Sequence, residues 1–387
     1  MDRREFLRLC ALTGLAAAGE GILGRTARAE ETPWPREALL YEKLPGRRVR
    51  CSVCPRQCEV ADGERGFCGV RENRGGVYYS LVYGRLCAVH SDPIEKKPLF
   101  HYLPGSSALS VATAGCNFEC KFCQNWNISQ FRPEQVPDVV AMTPSETVAL
   151  TRQQGSPTVC FTYSEPTVFH DFVHDTAEAA RTAGVGAVSI SNGYILPDAL
   201  RQLSTRLTAM KVDLKAFTEK YYQEVCRGQL EPVLTTLTTL KALGMYFEIV
   251  VLVVPTLNDS PEETKQMAGW IASRLHPDVP VHFTQFQPMY KLRNLPPTPI
   301  STLERCVEVA SRQGLNFVYL GNVPGHERES TRCPQCKKKL IDRFGFTVRR
   351  NSVTSQGACP DCGRRIPGIW SQEQALAQPA GIFSTKG

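Results

Sequence analysis

Three features are missing from this 387-residue chain, and each absence narrows what it can be. Beyond the N-terminus no stretch approaches the roughly 18 consecutive apolar residues that cross a bilayer. The longest, Ile249 to Val254, has the length of a strand, so no membrane span is expected in the mature chain. A decisive excess of one charge is absent too. The formal net charge is +7, but five Arg against three acidic residues in the first 29 leave +5 spread over the remainder, too diffuse to argue for nucleic acid. The third absence is local. In "AGCNFECKFCQNWNISQ", residues 114 to 130, Cys116, Cys120 and Cys123 fall within eight residues and have no fourth cysteine beside them. Three thiolates are one short of a closed tetrahedral metal site.

What is present is an ordinary globular composition, 42% hydrophobic and 21% charged, with room for one large domain and one or two small ones. The first 29 residues carry twin arginines, Arg3 and Arg4, an apolar stretch from about Leu9 to Leu23, and the small-residue pattern Ala27-Arg28-Ala29. Together these predict a Tat-type export signal cut after Ala29, with an amphipathic first helix as the alternative. Eleven of the sixteen cysteines form three groups, at 51/54/58/68, 116/120/123 and 333/336/359/362. Paired C-x-x-C spacings suit metal knuckles, since two thiolates three residues apart grip one ion from a single turn; disulfides are the alternative in an exported protein.

Between residues 106 and 325 short β-rich runs alternate with amphipathic helical segments, which predicts a partial (β/α)6 TIM-like barrel. The expected strands are Leu109–Thr113, Thr158–Tyr163, Ala187–Ser191, Ala209–Val212, Phe247–Val254 and Val281–Phe286, with Asn316–Leu320 closing the series. Expected helices begin near Thr143, Val168, Ser260 and Thr302, two of them ending at Gly184 and Gly314. Polar or unusual segments follow six of the strands in phase: the cysteine triplet, Ser164 to Thr167, Ser191 to Gly193, Asp213 to Lys215, Pro255 to Asp259 and Gln285 to Pro288. In such barrels the strand C-termini converge on one mouth, which predicts a shared pocket.

A C-x-x-x-C-x-x-C loop after a strand suits a cubane [4Fe–4S] cluster with three thiolate-bound irons and one iron left open. A zinc knuckle with a distant fourth ligand, such as an exposed His101, is the alternative. Asp213 and Lys215, two apart on a strand, face the same way into the mouth unless they simply pair with each other. Ser191 and Asn192 offer short hydrogen-bonding groups for ribose hydroxyls, and Gly193 permits close approach. Tyr163, Tyr290 and His282 are candidate pocket walls, and His90 to Lys97 either line an entrance or link domains. Cys160, Cys226 and Cys306 read as buried small hydrophobes.

With Phe122 just before the last cysteine, this loop resembles that of the radical S-adenosylmethionine (SAM) superfamily. The resemblance implies that SAM chelates the open iron and that one electron splits it into methionine and a 5′-deoxyadenosyl radical, which abstracts hydrogen from a protein or small-molecule substrate. It also implies Cys116, Cys120 and Cys123 as catalytic cluster ligands, with Phe122, Glu165, Ser191, Asn192, Asp213 and Lys215 around SAM. Glu165 stands where the superfamily's Gly-Gly-Glu element would accept hydrogen bonds from the SAM ammonium. The "DLK" strand is similar to pyruvate formate-lyase activating enzymes. Over residues 48 to 370, stretches such as "YGRLCAVHSDPIEKKPLFHYLPGS", "TYSEPTVF", "VPTLNDS" and "YLGNVPGHERESTRCPQC" resemble the radical SAM enzyme of the AmmeMemoRadiSam system. That family implies Memo-type and AMMECR-type partner proteins, and the chemistry implies a ferredoxin- or flavodoxin-type one-electron donor. Such cofactors belong to the cytoplasm, whereas the leader points to export.

The expected organisation is a signal segment (1–29), an N-terminal Cys-rich metal module and linker (30–105), the barrel (106–325), a zinc-ribbon-like module (326–370) and a tail (371–387). Cys51, Cys54, Cys58 and Cys68 would hold zinc or a second iron–sulfur cluster; Cys333, Cys336, Cys359 and Cys362 would hold zinc. A non-catalytic iron–sulfur carrier or a metal-stabilised binding module is the rival function.

Overall fold

The computed structural model describes residues 35–377 and 381–383; the stretch read as an export signal lies outside them. The central element is an eight-stranded sheet. Seven strands are parallel: β2 Ser107–Ala112, β3 Thr158–Phe161, β4 Gly186–Ser191, β5 Ala209–Asp213, β6 Phe247–Val253, β7 Val281–Gln285 and β8 Val318–Gly321. Strand β1, Ala88–Pro93, joins the edge antiparallel to β2. The order runs β8-β7-β6-β5-β4-β3-β2-β1 and does not close on itself, so the barrel is partial, as expected. The parallel strands are buried almost throughout, as strands covered on both faces must be.

The helices follow their sequence signals. α1, Pro144–Gln153, opens on a reciprocal capping box: Thr143 Oγ1 accepts from the Glu146 N–H at 3.1 Å while the Glu146 carboxylate accepts from the Thr143 N–H at 2.8 Å. α2 is His170–Thr182, α5 is Pro261–Trp270 with Ser260 as its cap, and α6 is Ile300–Arg312. Two further helices, α3 Pro197–Ser204 and α4 Glu231–Ala242, complete the outer layer; each places a proline in its first turn.

Upstream of the barrel, two small antiparallel sheets pack against it. One pairs 36–37, 77–80 and 71–74; the other pairs 41–44, 48–51 and 59–60 and leads into the first cysteine group. Downstream, β9 Thr331–Arg332, β10 Lys339–Phe344 and β11 Thr347–Asn351 form a three-stranded meander carrying the last four cysteines. This meander, with Ile366 beyond it, packs through Leu340 and Ile341 on Phe100, on Phe317 just before open-edge strand β8 and on Tyr319 within it. Its Arg343 is fully buried, donating to the Phe100 carbonyl at 2.7 Å and to Thr331 Oγ1 at 2.9 Å, with Glu95 3.5 Å away. The basic residues here are largely partnered: Arg364 reaches Asp278 of the barrel at 2.7 Å, Lys339 reaches Asp342 at 2.8 Å, and Lys338 pairs with Asp361.

One expectation fails outright. His101 is fully buried, not exposed. Its Nδ1 bonds the Pro367 carbonyl at 2.7 Å and its Nε2 the Tyr319 hydroxyl. A carbonyl only accepts, so Nδ1 carries the proton and the ring is neutral. Burial holds its pKa down at about 4, and both nitrogens are committed to the barrel–meander interface.

Candidate active site

Alternation along the strands decides what faces the barrel interior. Ile190, Lys211 and Asp213, Val250 and Leu252, and His282 and Thr284 all line one cavity of about 660 Å³. The cavity opens at the strand C-termini, where the loop after β2 delivers Cys116, Cys120 and Cys123 together with Phe122. Among the described residues no other cysteine lines it. A fourth thiol stands outside the cavity: Cys226, fully buried at the end of the π-helical turn Tyr222–Cys226, as its sequence context suggested.

The triplet is surrounded by donors that suit sulfur bound to metal. The Phe118 N–H points at Cys116 Sγ at 3.4 Å, Asn192 Nδ2 approaches the same sulfur at 3.9 Å, and Ser129 Oγ lies 3.2 Å from Cys123 Sγ. Burial raises the Cys116 thiol well above its usual range, with Glu165 adding to the effect; burial also raises Cys123. Three such thiols ionise together only against a compensating cation. The donor set therefore fits an iron–sulfur cluster with one corner facing the cavity.

Glu165, in the loop after β3, is buried and lines the cavity. Its Oε1 accepts from the Thr167 N–H at 3.1 Å, the Thr167 hydroxyl at 2.7 Å and the Ser191 hydroxyl at 2.6 Å; Oε2 accepts only the Asn192 N–H, at 2.8 Å. Burial nevertheless raises its pKa. Ser191 is turned away from the cavity to make that bond, whereas Asn192 lines it. Asn192 also donates to Asn117 Oδ1 at 2.8 Å, tying the β4 loop to the cysteine loop. Gly193 has a φ of +72°, and a Cβ there would stand 2.8 Å from Val212 Cγ1, so only glycine brings this loop against β5.

Asp213 sits between two lysines. Lys215 Nζ reaches it at 2.7 Å, and Lys211 pairs with its other oxygen. Burial favours neutral Asp213, but the two ammonium groups hold its pKa at about 2. Burial also opposes the charge on both lysines. It prevails at Lys211, whose pKa is lowered, while Asp213 overrides it at Lys215, whose pKa is raised. Lys215 also lies 5.8 Å from the Phe122 ring centre.

Several contributors were not legible as individuals. Asn258, in the segment after β6, donates to the Lys215 carbonyl at 2.7 Å and the Leu252 carbonyl at 2.9 Å, and accepts from the Val254 N–H at 2.6 Å. Asp92 on β1 accepts from Lys96 at 2.8 Å, from Lys97 at 2.6 Å and from the Tyr163 hydroxyl. Glu95, Lys96 and Lys97 line the cavity, as do Tyr163 and His282. Tyr290 does not line it; its ring stacks on Trp126 at 5.3 Å and faces a second cavity beside the N-terminal cysteines. Phe346, at the tip of the β10–β11 hairpin, forms part of the main cavity's rim.

The downstream four cysteines converge tightly, all four sulfurs lying within 4.8 Å of one another. Cys333 Sγ is 3.5 Å from Cys362 Sγ, and Cys336 Sγ is 3.6 Å from Cys359 Sγ, a set able to hold a metal.

Comparison with known proteins agrees with this geometry. Residues 110–268 match the Radical SAM superfamily. The uncharacterized protein MJ0808 of Methanocaldococcus jannaschii is 45% identical over 332 residues, covering 86% of this chain and 98% of that protein. Among solved structures, a domain of pyruvate-formate lyase-activating enzyme from Bacteroides vulgatus aligns at 16% identity and a TM-score of 0.38, covering 42% of this chain and 98% of its own. Streptococcus suis SuiB bound to S-adenosylmethionine aligns at 13% and 0.45, over 59% of this chain and 53% of its own. Likeness at that level transfers neither substrate nor mechanism. The chain belongs to the same family as the M. jannaschii protein and is a radical SAM superfamily enzyme.

Proposed function

We propose that this enzyme reductively cleaves SAM at the cavity lined by Cys116, Cys120 and Cys123, generating a radical that abstracts hydrogen from a substrate held deeper in the barrel. The observation that carries the reading is three thiols, and no fourth among the described residues, lining a cavity that also holds a lysine pair and a buried carboxylate. A [4Fe–4S] cluster on those thiolates, with SAM on its open iron, supplies the electron that splits the sulfonium into methionine and a 5′-deoxyadenosyl radical.

The protein's own residues bind and orient. The Lys211–Asp213–Lys215 group carries one net positive charge and faces the cavity, so Lys215 attracts the SAM carboxylate. Glu165 Oε2, with a single donor on it, has capacity for the SAM ammonium. Ser191 holds Glu165 in place, and Asn192, its amide held by Asn117 and the Tyr194 N–H, forms the wall where the nucleoside would lie. Phe122 and Leu252 exclude water from the wall. Reduction calls for an external one-electron donor of the ferredoxin or flavodoxin class. The finer reading is an AmmeMemoRadiSam-type enzyme, with Memo-type and AMMECR-type proteins as partners. It rests on the quoted sequence stretches, and the substrate class stays open between protein and small molecule.

For the C-terminal four cysteines we propose zinc. A tetrahedral ion with Zn–S bonds of about 2.3 Å sets its sulfurs about 3.8 Å apart, close to the 3.5 and 3.6 Å separations here.

The direct test is anaerobic incubation of reconstituted, reduced protein with SAM. Release of 5′-deoxyadenosine is expected, and Cys120→Ala should abolish it. An intact cluster that neither binds nor cleaves SAM would establish an electron carrier instead.

A further inference from the structure

The chain contains three cysteine groups, and one geometric criterion separates them. Sulfurs around a single tetrahedral ion stand about 3.8 Å apart, whereas a cubane binds each sulfur to a different iron and spreads them wider. Among the described residues, only the C-terminal four bring three or more ligand atoms within 4.8 Å of one another. The barrel triplet does not, as befits ligands of three separate irons. Nor do Cys51, Cys54, Cys58 and Cys68.

Yet those four converge. A Cβ at Gly66, two residues before Cys68, would stand 3.7 Å from both Cβ and Sγ of Cys58. The Cys51 N–H donates to the Cys58 carbonyl at 3.0 Å, folding the two knuckles together, and none of the four is joined in a disulfide. The surroundings suit an anionic centre. The Phe67 N–H points at Cys58 Sγ at 3.4 Å. Arg71, 1% exposed, spends Nη2 on Asp171 and Nε on the Val168 carbonyl, while its Nη1 is buried with no partner, and its charge acts on Cys51 and Cys68. That buried N–H, with no protein acceptor, is free to donate to a bound group.

We infer that Cys51, Cys54, Cys58 and Cys68 hold a second iron–sulfur cluster, fully ligated by the chain, with Arg71 donating toward it. The wider spread favours separate irons over one shared ion, and the buried Arg71 Nη1, which no described residue accepts from, has a hydrogen bond to give. The two clusters would be neighbours. Gly115, next to Cys116, has a φ of +97°, and a Cβ there would stand 3.0 Å from the Cys68 carbonyl oxygen and 2.5 Å from Val70 Cγ1. Cys68 and Cys116 also line one cavity of about 890 Å³. The inference uses the proposed barrel cluster as its comparison but not as its premise.

The experiment uses the full chain, purified and reconstituted anaerobically, with iron, sulfide and zinc counted and the reduced protein examined by electron paramagnetic resonance with and without SAM. About eight irons and about one zinc per chain are expected. Cys54→Ser/Cys58→Ser should lower iron to about four, leave zinc unchanged and keep the signal that responds to SAM. The Cys116→Ala/Cys120→Ala/Cys123→Ala variant should keep about four irons and a signal indifferent to SAM. Wild-type protein with about four irons and two zincs, or an N-terminal variant that loses zinc instead of iron, would overturn the inference. Failure of the barrel reading looks different: the N-terminal variant would then lose all iron and the barrel variant none. Should either variant fail to fold, Mössbauer spectra of the wild type with and without SAM count the clusters directly, and a single cubane that responds to SAM overturns the inference.

Discussion

Lys215 and Cys226 bracket the chemistry from opposite sides. Lys215 is the ammonium whose charge the buried Asp213 secures, and in the function proposed above it is the group that would take SAM's carboxylate. Lys215→Ala should weaken SAM binding at least tenfold, the equivalent of about 1.5–3 kcal/mol for a charge-assisted hydrogen bond. Equilibrium binding to the reconstituted protein measures this, and unchanged affinity would remove Lys215 from the SAM site. Cys226 is fully buried and lines no part of the cavity, so Cys226→Ala should leave the barrel iron and SAM cleavage within a few-fold of wild type. Loss of that iron would make Cys226 a ligand and close the open corner. At this scale the sequence was partly legible. Spacing located Cys116, Cys120, Cys123, Asp213 and Lys215, because loop cysteines and alternate strand residues have fixed directions. The roles of Asn258 and Asn117 were hidden, since each reaches a partner 43 to 77 positions distant, and so was the bond from Tyr163 to Asp92 across 71 positions. Ser191 was visible as a polar group, but its orientation is set by Glu165, which the sequence does not place beside it.

Elements were read where their signals were local. The capping box before α1 and the buried apolar runs of β2 to β8 lie within short windows, and their boundaries agree within about two residues with the folded chain. Strand β1 was missed because it is an edge strand with exposed His90 and Ser91, so "HSDP" carries no apolar alternation. α3 and α4 were unassigned, although Pro197 and Pro232 mark their first turns. The meander's attachment was equally illegible, depending on Arg343 meeting Glu95 and, across 243 positions, the Phe100 carbonyl. That contact carries a prediction. Arg343→Ala leaves Glu95 buried without its cation and should cost about 3–5 kcal/mol in denaturant unfolding. Adding Glu95→Gln should recover part of the loss, because no unpaired charge then stays buried. Additive losses would show that the pair is not coupled.

For the whole molecule, pH is the variable to which two buried histidines respond. Burial holds both His101 and His170 at a pKa of about 4, below the usual value near 6.5. Between those values the unfolded chain binds protons that the folded chain refuses. Their contribution is therefore complete above about pH 6.5 and is lost as pH falls toward 4. Each should remove about 2 kcal/mol between pH 7 and pH 5. Thermal unfolding at the two pH values tests this, and His101→Phe should shrink the difference; equal midpoints, or a difference unchanged in His101→Phe, would contradict it. The most direct measurement concerns the open iron. Electron–nuclear double resonance on the reduced full chain with SAM labelled at its amino nitrogen should show hyperfine coupling between that nitrogen and the cluster, lost in Cys120→Ala. A reduced cluster that shows no such coupling at saturating SAM would contradict an iron left open for the cofactor.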